Sequence, residues 1–300
     1  MDRVMELLNG ACDMHVHTGP SLVPRSIDDV EAVERYSELG LLAMVIKDQY
    51  FMSTQRAQFL NKYVFKGTHT TAYGAIALNN SVGGVCPHAV DAAIRTGAKV
   101  IWMPTVSAER HVERARERAR KGLSHIVGIP VAANPLYEEI PLKLVDRDGA
   151  LLGEVKEICS LIARADIVLG TGHVTVAEAR LLIDEAKRQG VKKIVVDHPH
   201  ILGYRREEMQ EMADKGAFIE LVSAYALAEP GGMELTAELI RLIGPERVVL
   251  VTDLGQPAAP FPLPSVGIKD FVAKLLALGI QECEIDTMLK QNPKRLLNLD

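Results

Sequence analysis

Short apolar, β-rich runs alternate with amphipathic helical stretches nearly from end to end of this 300-residue chain. That rhythm is the strongest constraint on the fold. Strands joined through helices run parallel, and a parallel sheet must be covered on both faces. The runs are CDMHVH, LLAMVIK, TAYGAIAL, KVIWM, DIVLGTGH, KIVVDH, AFIELV and RVVLVTD, eight in all. Eight such strands close on themselves, so the expectation is an α/β protein of the (β/α)8 TIM-barrel type. Ser26 with Asp29, and Thr175 with Glu178, have capping-box spacing ahead of helices, and Gly40, Gly97, Gly190 and Gly216 stand where helices would stop. The rhythm breaks at IPLKLVDRDGALL, which reads as a small hairpin around Asp148 and Gly149, an excursion before strand five. No linker or low-complexity segment interrupts the rest, so residues 1–300 read as one domain.

Composition narrows the function classes. Hydrophobic residues make up 48% and charged residues 24%, as in soluble globular proteins. A net charge of −5 with scattered Lys and Arg leaves no basic stripe for nucleic acid. The longest apolar run, LLAMVI, is too short to span a bilayer, and MDRVMELLNG lacks the basic-then-apolar layout of a signal peptide. The expectation is a cytoplasmic protein acting on a small molecule, without nucleic-acid or membrane partners, and with a homo-oligomer left open. Cys12, Cys86, Cys159 and Cys283 are dispersed, form no C-x-x-C pair and read as free thiols.

The unusual residues fall at strand ends. Alternate side chains on a strand share a face, so His15 and His17 point the same way with Cα atoms roughly 6.6 Å apart, close enough to converge on one cation. Asp13 has the same parity and is expected to brace the site from deeper in the barrel. His173 ends LGTGH, His198 ends KIVVDH and Asp253 ends VVLVTD. Parity from the apolar residues before them turns all three toward the C-terminal mouth, where such barrels place their chemistry. Imidazoles and a carboxylate from four strands suit zinc or another borderline divalent ion. Taken singly, a strand-end histidine is more often a hydrogen-bonded core or surface residue; the joint pattern argues for metal.

With these residues in view, DMHVHTGP, TGH, DHPH and TDLGQ, spaced along eight βα units, resemble the amidohydrolase superfamily of metal-dependent hydrolases. The closing ECEIDTMLKQNPKRLLNLD is similar to the last helices of that superfamily, while LNNSVGG and VIWMPT suggest an uncharacterised branch. The resemblance implies that His15, His17, His173, His198 and Asp253 bind one or two divalent ions, most simply Zn2+, and that Asp253 shuttles protons. It implies cleavage of a C–N or C–O bond of an amide, lactone or ester by metal-activated water. Where binuclear members carry a bridging carboxylated lysine or glutamate on strand four, this chain has Met103, Pro104 and Thr105.

Lys47 ends strand two with inward parity and has three readings: a carboxylated bridge, an anion receptor, or an ion-pair partner of Asp48 or another carboxylate. His200 shares parity with His198 and reads as a substrate contact or a surface residue. Arg25, Tyr50, Asn79 and Asn80 lie in loops at the same end; Arg25 would cap a carboxylate or phosphate, giving a possibly anionic substrate. Glu220 ends strand seven facing inward and reads as a partner for a neighbouring histidine or lysine. Trp102 reads as core. The alternatives are a PHP-type phosphoesterase, which also opens with D-x-H-x-H, and a non-catalytic metal- or ligand-binding barrel.

Overall fold

The computed structural model describes residues 3–65, 70–120, 140–257 and 261–299. Its strands are β1 (Cys12–Val16), β2 (Ala43–Ile46), β3 (Thr71–Ala77), β4 (Ala98–Trp102), β5 (Val168–Gly170), β6 (Ile194–Val196), β7 (Phe218–Val222) and β8 (Val248–Val251). Each pairs in parallel with the next, in chain order. β8 returns to β1 where Asp253 N donates to His15 O and His17 N donates to Leu254 O, both at 2.8 Å. With helices between the strands, this is the (β/α)8 barrel.

Two apolar layers hold it together. Cys12, Met14, Val45, Val100, Val168 and Val249 belong to the cluster inside the barrel, whereas Val16, Met44, Ile101, Leu169 and Leu250 join the larger one between sheet and helices. β1 changes parity along its length. Cys12 and Met14 face inward, yet Val16 faces outward, and the pairing with β2 is irregular between Asp13 and Val16. The irregularity lets His15 and His17 follow Met14 into the interior. It also leaves Asp13 on the outer side, contrary to the sequence expectation. There its carboxylate accepts from Thr252 N at 3.0 Å, from the Thr252 and Tyr36 hydroxyls at 2.5 Å each, and from His15 N at 3.2 Å. Asp13 therefore braces the site by locking β1 to β8 from outside.

The helix Val176–Arg188 has the expected capping box of Thr175 and Glu178. The helix Asp29–Glu38 does not start with Ser26: Asp28 caps it, accepting from Glu31 N at 2.8 Å. Asp29 instead binds the Thr18 hydroxyl and pairs with Arg56 at 3.0 Å, a tertiary use that local spacing does not reveal. The expected hairpin is reduced to one isolated antiparallel bridge, Val145 to Leu151, around the Asp146–Ala150 turn. All four cysteines are free, Cys12 and Cys159 being buried. Among the described residues, no helix is long and apolar enough to cross a membrane.

Candidate metal centre

β1 and β8 bring three donor atoms together at the C-terminal mouth. His15 Nε2 and His17 Nε2 lie 3.3 Å apart, and Asp253 Oδ1 lies 3.0 Å from the first and 2.9 Å from the second. Two donors held about 2.1 Å from one ion at right angles are about 3 Å apart, so this triangle has the size of one face of a coordination shell. The other ring nitrogens face away. His15 Nδ1 is 2.9 Å from Glu220 Oε1, and His17 Nδ1 is 2.7 Å from the Lys47 carbonyl. Those acceptors place a proton on each Nδ1 and turn each Nε2 inward, the arrangement expected around a metal ligand. Glu220 thus serves a histidine, as the sequence suggested.

The ionisation states make the same point. Burial, then Arg25, push His17 down to about 3 despite the opposing pull of Asp253. His17 is neutral, its Nδ1–H is committed to a carbonyl, and its Nε2 lone pair faces a carboxylate oxygen at 2.9 Å. Burial pushes Asp253 up, but the charge and hydrogen bond of His15 and the charge of His198 hold it well below the usual carboxylate range. Acceptor facing acceptor at that distance is unfavourable unless a proton or a cation lies between them. In the cation-free protein the proton sits on His15: burial and Lys47 push that imidazole down, but Asp253 and Glu220 outweigh them and raise it to about 9. The donor set fits a divalent cation.

His198 and His173 line the other side of the mouth. His198 Nε2 is 3.9 Å from Asp253 Oδ2, and His15, His198 and Asp253 each offer a ligand atom within 4.8 Å of the others. The His173 ring lies 4.7 Å from that of His198. Parity does not explain either position. On β5 and β6 the residues two and four places back, Leu169, Val196 and Ile194, face the helices. Both histidines reach the mouth through left-handed backbone, at Gly172 with φ 69° and at His198 itself with φ 24°. A Cβ on Gly172 would lie 2.4 Å from the Met103 and Pro104 carbonyls. The φ of His198 is costly for a residue with a side chain, and such strain concentrates at functional sites.

Two participants were not visible in the sequence. His111, on the helix Glu109–Arg120 that follows β4, places its Nδ1 2.8 Å from His173 Nδ1. It sits in the highly charged stretch SAERHVERARERAR, and its place just after a strand end was the only signal. Asp197 accepts from Trp102 Nε1 at 2.8 Å and from Gly172 N. Burial raises its pKa to about 6 against the opposing Lys47 charge.

Lys47 is 1% exposed and its Nζ has no hydrogen-bond partner. It lies 4.6 Å over the Trp102 ring, and its charge acts on His15, His111, His173 and His198. Asp48 is taken instead by Arg56 at 2.8 Å, Ser21 at 3.1 Å and Tyr50 N at 2.9 Å. Arg25 reaches the site from the loop after β1; Nη2 donates to Gln49 Oε1 at 3.1 Å, and Nη1 is buried without a partner. His200 packs edge-on against Tyr225 with both ring nitrogens buried and unpaired, and burial lowers it to about 4. Tyr50 is buried. Asn79 spends its amide on architecture: Nδ2 donates to Gln49 O and Thr105 Oγ1, while Oδ1 accepts from Thr105 N and Ser107 N. The Asn80 side chain likewise bonds the Ile140 carbonyl.

A family model matches residues 10–220, most of the chain, and carries the description of a family of unknown function, DUF6282. The chain belongs to that family. No curated protein matches its sequence. Among solved structures it is similar to an amidohydrolase from Pseudomonas aeruginosa (15% identity, 98% of each chain, TM-score 0.61). It is also similar to a putative 2-pyrone-4,6-dicarboxylic acid hydrolase from Pseudomonas putida (13% identity, 97% of this chain and 98% of the other, TM-score 0.58). A third is 2,6-dihydroxybenzoate decarboxylase from Rhizobium (13% identity, 97% and 99%, TM-score 0.55). Identities this low show a shared barrel fold.

Proposed function

We propose that this DUF6282 protein is a metal-dependent hydrolase of the amidohydrolase type, cleaving a C–N or C–O bond in a small anionic molecule. The observation that carries the reading is the facing of the His17 Nε2 lone pair and Asp253 Oδ1 at 2.9 Å, with His15 Nε2 beside both. His15, His17 and Asp253 would hold the cation, with His198 and His173 next to them. A divalent cation there supplies a Lewis acid that lowers the pKa of water toward neutrality and polarises a carbonyl oxygen.

The remaining steps fall to the chain. Asp253 is ionised, and its Oδ2 is the oxygen not engaged by His15 and His17, so it is the group that takes a proton from the attacking water and returns it to the leaving atom. Lys47 Nζ, buried and unpaired, receives an anionic group of the substrate. Arg25 Nη1 offers a second such contact toward the rim. Trp102 and Glu220 are both buried, the one packed against the His15 ring and the other bonded to its Nδ1.

The test is elemental analysis of the purified protein, followed by a panel of N-acyl amino acids, lactones, aryl carboxylates and phosphomonoesters. Turnover of the first two classes, lost on metal removal and restored by Zn2+, supports the reading; turnover of phosphomonoesters alone would replace it. A second reading is favoured by the likeness to the decarboxylase together with the unpaired Lys47. Release of CO2 from aryl carboxylates without hydrolysis of any amide or lactone would select it.

A further inference from the structure

Each histidine whose role is clear at this mouth follows one pattern: Nδ1 bonds an acceptor behind the ring and Nε2 faces the site. For His15 the acceptor is Glu220, and for His17 it is the Lys47 carbonyl. His173 has the same layout. Its Nδ1 is engaged at 2.8 Å and its Nε2 is buried with no partner, but the group behind it is a second imidazole, His111. A bond between two neutral imidazoles has one proton and two possible senses. If His111 donated, His173 would carry its proton on Nε2 and present a donor to a cation site. If His173 donates, Nε2 presents a lone pair.

We infer that His111 is a positioning residue that accepts the Nδ1–H of His173 and so fixes the tautomer in which His173 Nε2 is a cation ligand. The inference rests on the metal-centre reading above.

The surroundings hold His111 to this task. It is 9% exposed, and its ring is nearly parallel to that of His173, 23° between planes. Arg110 beside it donates from Nη2 and Nε to the Leu202 carbonyl at 3.0 and 3.2 Å, tying the helix to the short helix Pro199–Leu202 that follows His198. The loop leading into the helix is pinned by Asn79, and His173 N is bonded to the Pro104 carbonyl at 2.9 Å. The chain segments that carry the two imidazoles are therefore each tied to neighbouring elements, and the rings meet at 2.8 Å between their Nδ1 atoms.

The decisive experiment is nitrogen NMR on the full-length, cation-free protein with labelled histidine. The expected spectrum shows His173 with a pyrrole-type Nδ1 and a pyridine-type Nε2, and a coupling across the hydrogen bond to His111 Nδ1. His173 protonated on Nε2 would overturn the proposal. His111→Phe keeps the ring and removes the acceptor; it should scramble the His173 tautomer and weaken Zn2+ binding about 10- to 100-fold. His111→Asn, which restores an acceptor, should recover most of that loss. Wild-type Zn2+ affinity in His111→Phe would also overturn it. If the wild-type protein binds no Zn2+, the metal-centre reading fails while the wild-type spectrum still decides the role of His111. That spectrum decides it equally if His111→Phe does not fold.

Discussion

His15 Nε2 and His17 Nε2 are 3.3 Å apart although their residues are two positions apart on one strand. Side chains at that spacing start roughly 6.6 Å apart at Cα, so the rings must lean toward each other. They are held there from behind by Glu220 and by the Lys47 carbonyl, and both touch Asp253 Oδ1. Removing either ring breaks the triangle. His15→Ala and His17→Ala should each lower bound metal to background while leaving the circular-dichroism spectrum of the barrel in place. Retention of one equivalent of metal in the double variant would refute the assignment.

Lys47 is a buried ammonium with an aromatic face under it and no hydrogen-bond acceptor. Such a group is costly to bury and is kept where a ligand completes it. Lys47→Met preserves most of the packing on Trp102 and removes the charge. The variant should melt at the same temperature as the wild-type protein or higher, and should lose at least about tenfold in kcat/KM, mostly through KM, as expected for removal of one ground-state contact. Unchanged KM for anionic substrates would show that Lys47 does not meet the ligand.

The barrel and the closing triangle were legible because both depend on repeated local patterns: strand-helix alternation, the H-x-H pair and the carboxylate ending β8. The route of His173 and His198 to the mouth was not, since parity counted from β5 and β6 points them at the helices. What brings them in is backbone of positive φ at Gly172 and His198, which a strand pattern does not encode. Asp13 was misplaced for a related reason, the irregular pairing of β1 between Asp13 and Val16. His111 was hidden by its company: on a helix of Glu and Arg, one buried imidazole leaves no periodic trace.

Barrel closure makes its own prediction at Gly255. This residue has φ 122°, a Cβ there would lie 1.7 Å from the His17 carbonyl oxygen, and its own carbonyl accepts from Ser26 N at 2.9 Å. Neither side of that contact is a flexible side chain, so Gly255→Ala must push the loop after β8 away from β1. The expected cost is about 2 kcal/mol or more in chemical denaturation, with weaker metal binding because Asp253 sits two residues before. Gly149→Ala, where nothing lies within 4 Å, tests the effect of positive φ alone. Equal losses at the two sites would remove the steric account.

The cation should compete with a proton, and the sign follows from His15. Its pKa in the folded, cation-free protein is raised from 6.5 to about 9, because Asp253 and Glu220 outweigh burial and Lys47. A raised histidine stabilises the fold fully below pH 6.5, and that contribution, roughly 3 kcal/mol at most, disappears as the pH climbs through 9. Since a cation takes the place of that proton between His15 Nε2 and Asp253, each ion bound below pH 9 should release about one proton. Zn2+ titrated into the metal-free protein at pH 7, in two buffers of different ionisation enthalpy, should give heats that differ by one proton's worth. Apparent affinity should rise about tenfold per pH unit until the imidazole is already neutral. His17, held at about 3, has no proton to give in this range, so the proton released is that of His15. Identical heats in both buffers for the wild-type protein would mean that no proton stands where the cation is proposed to bind.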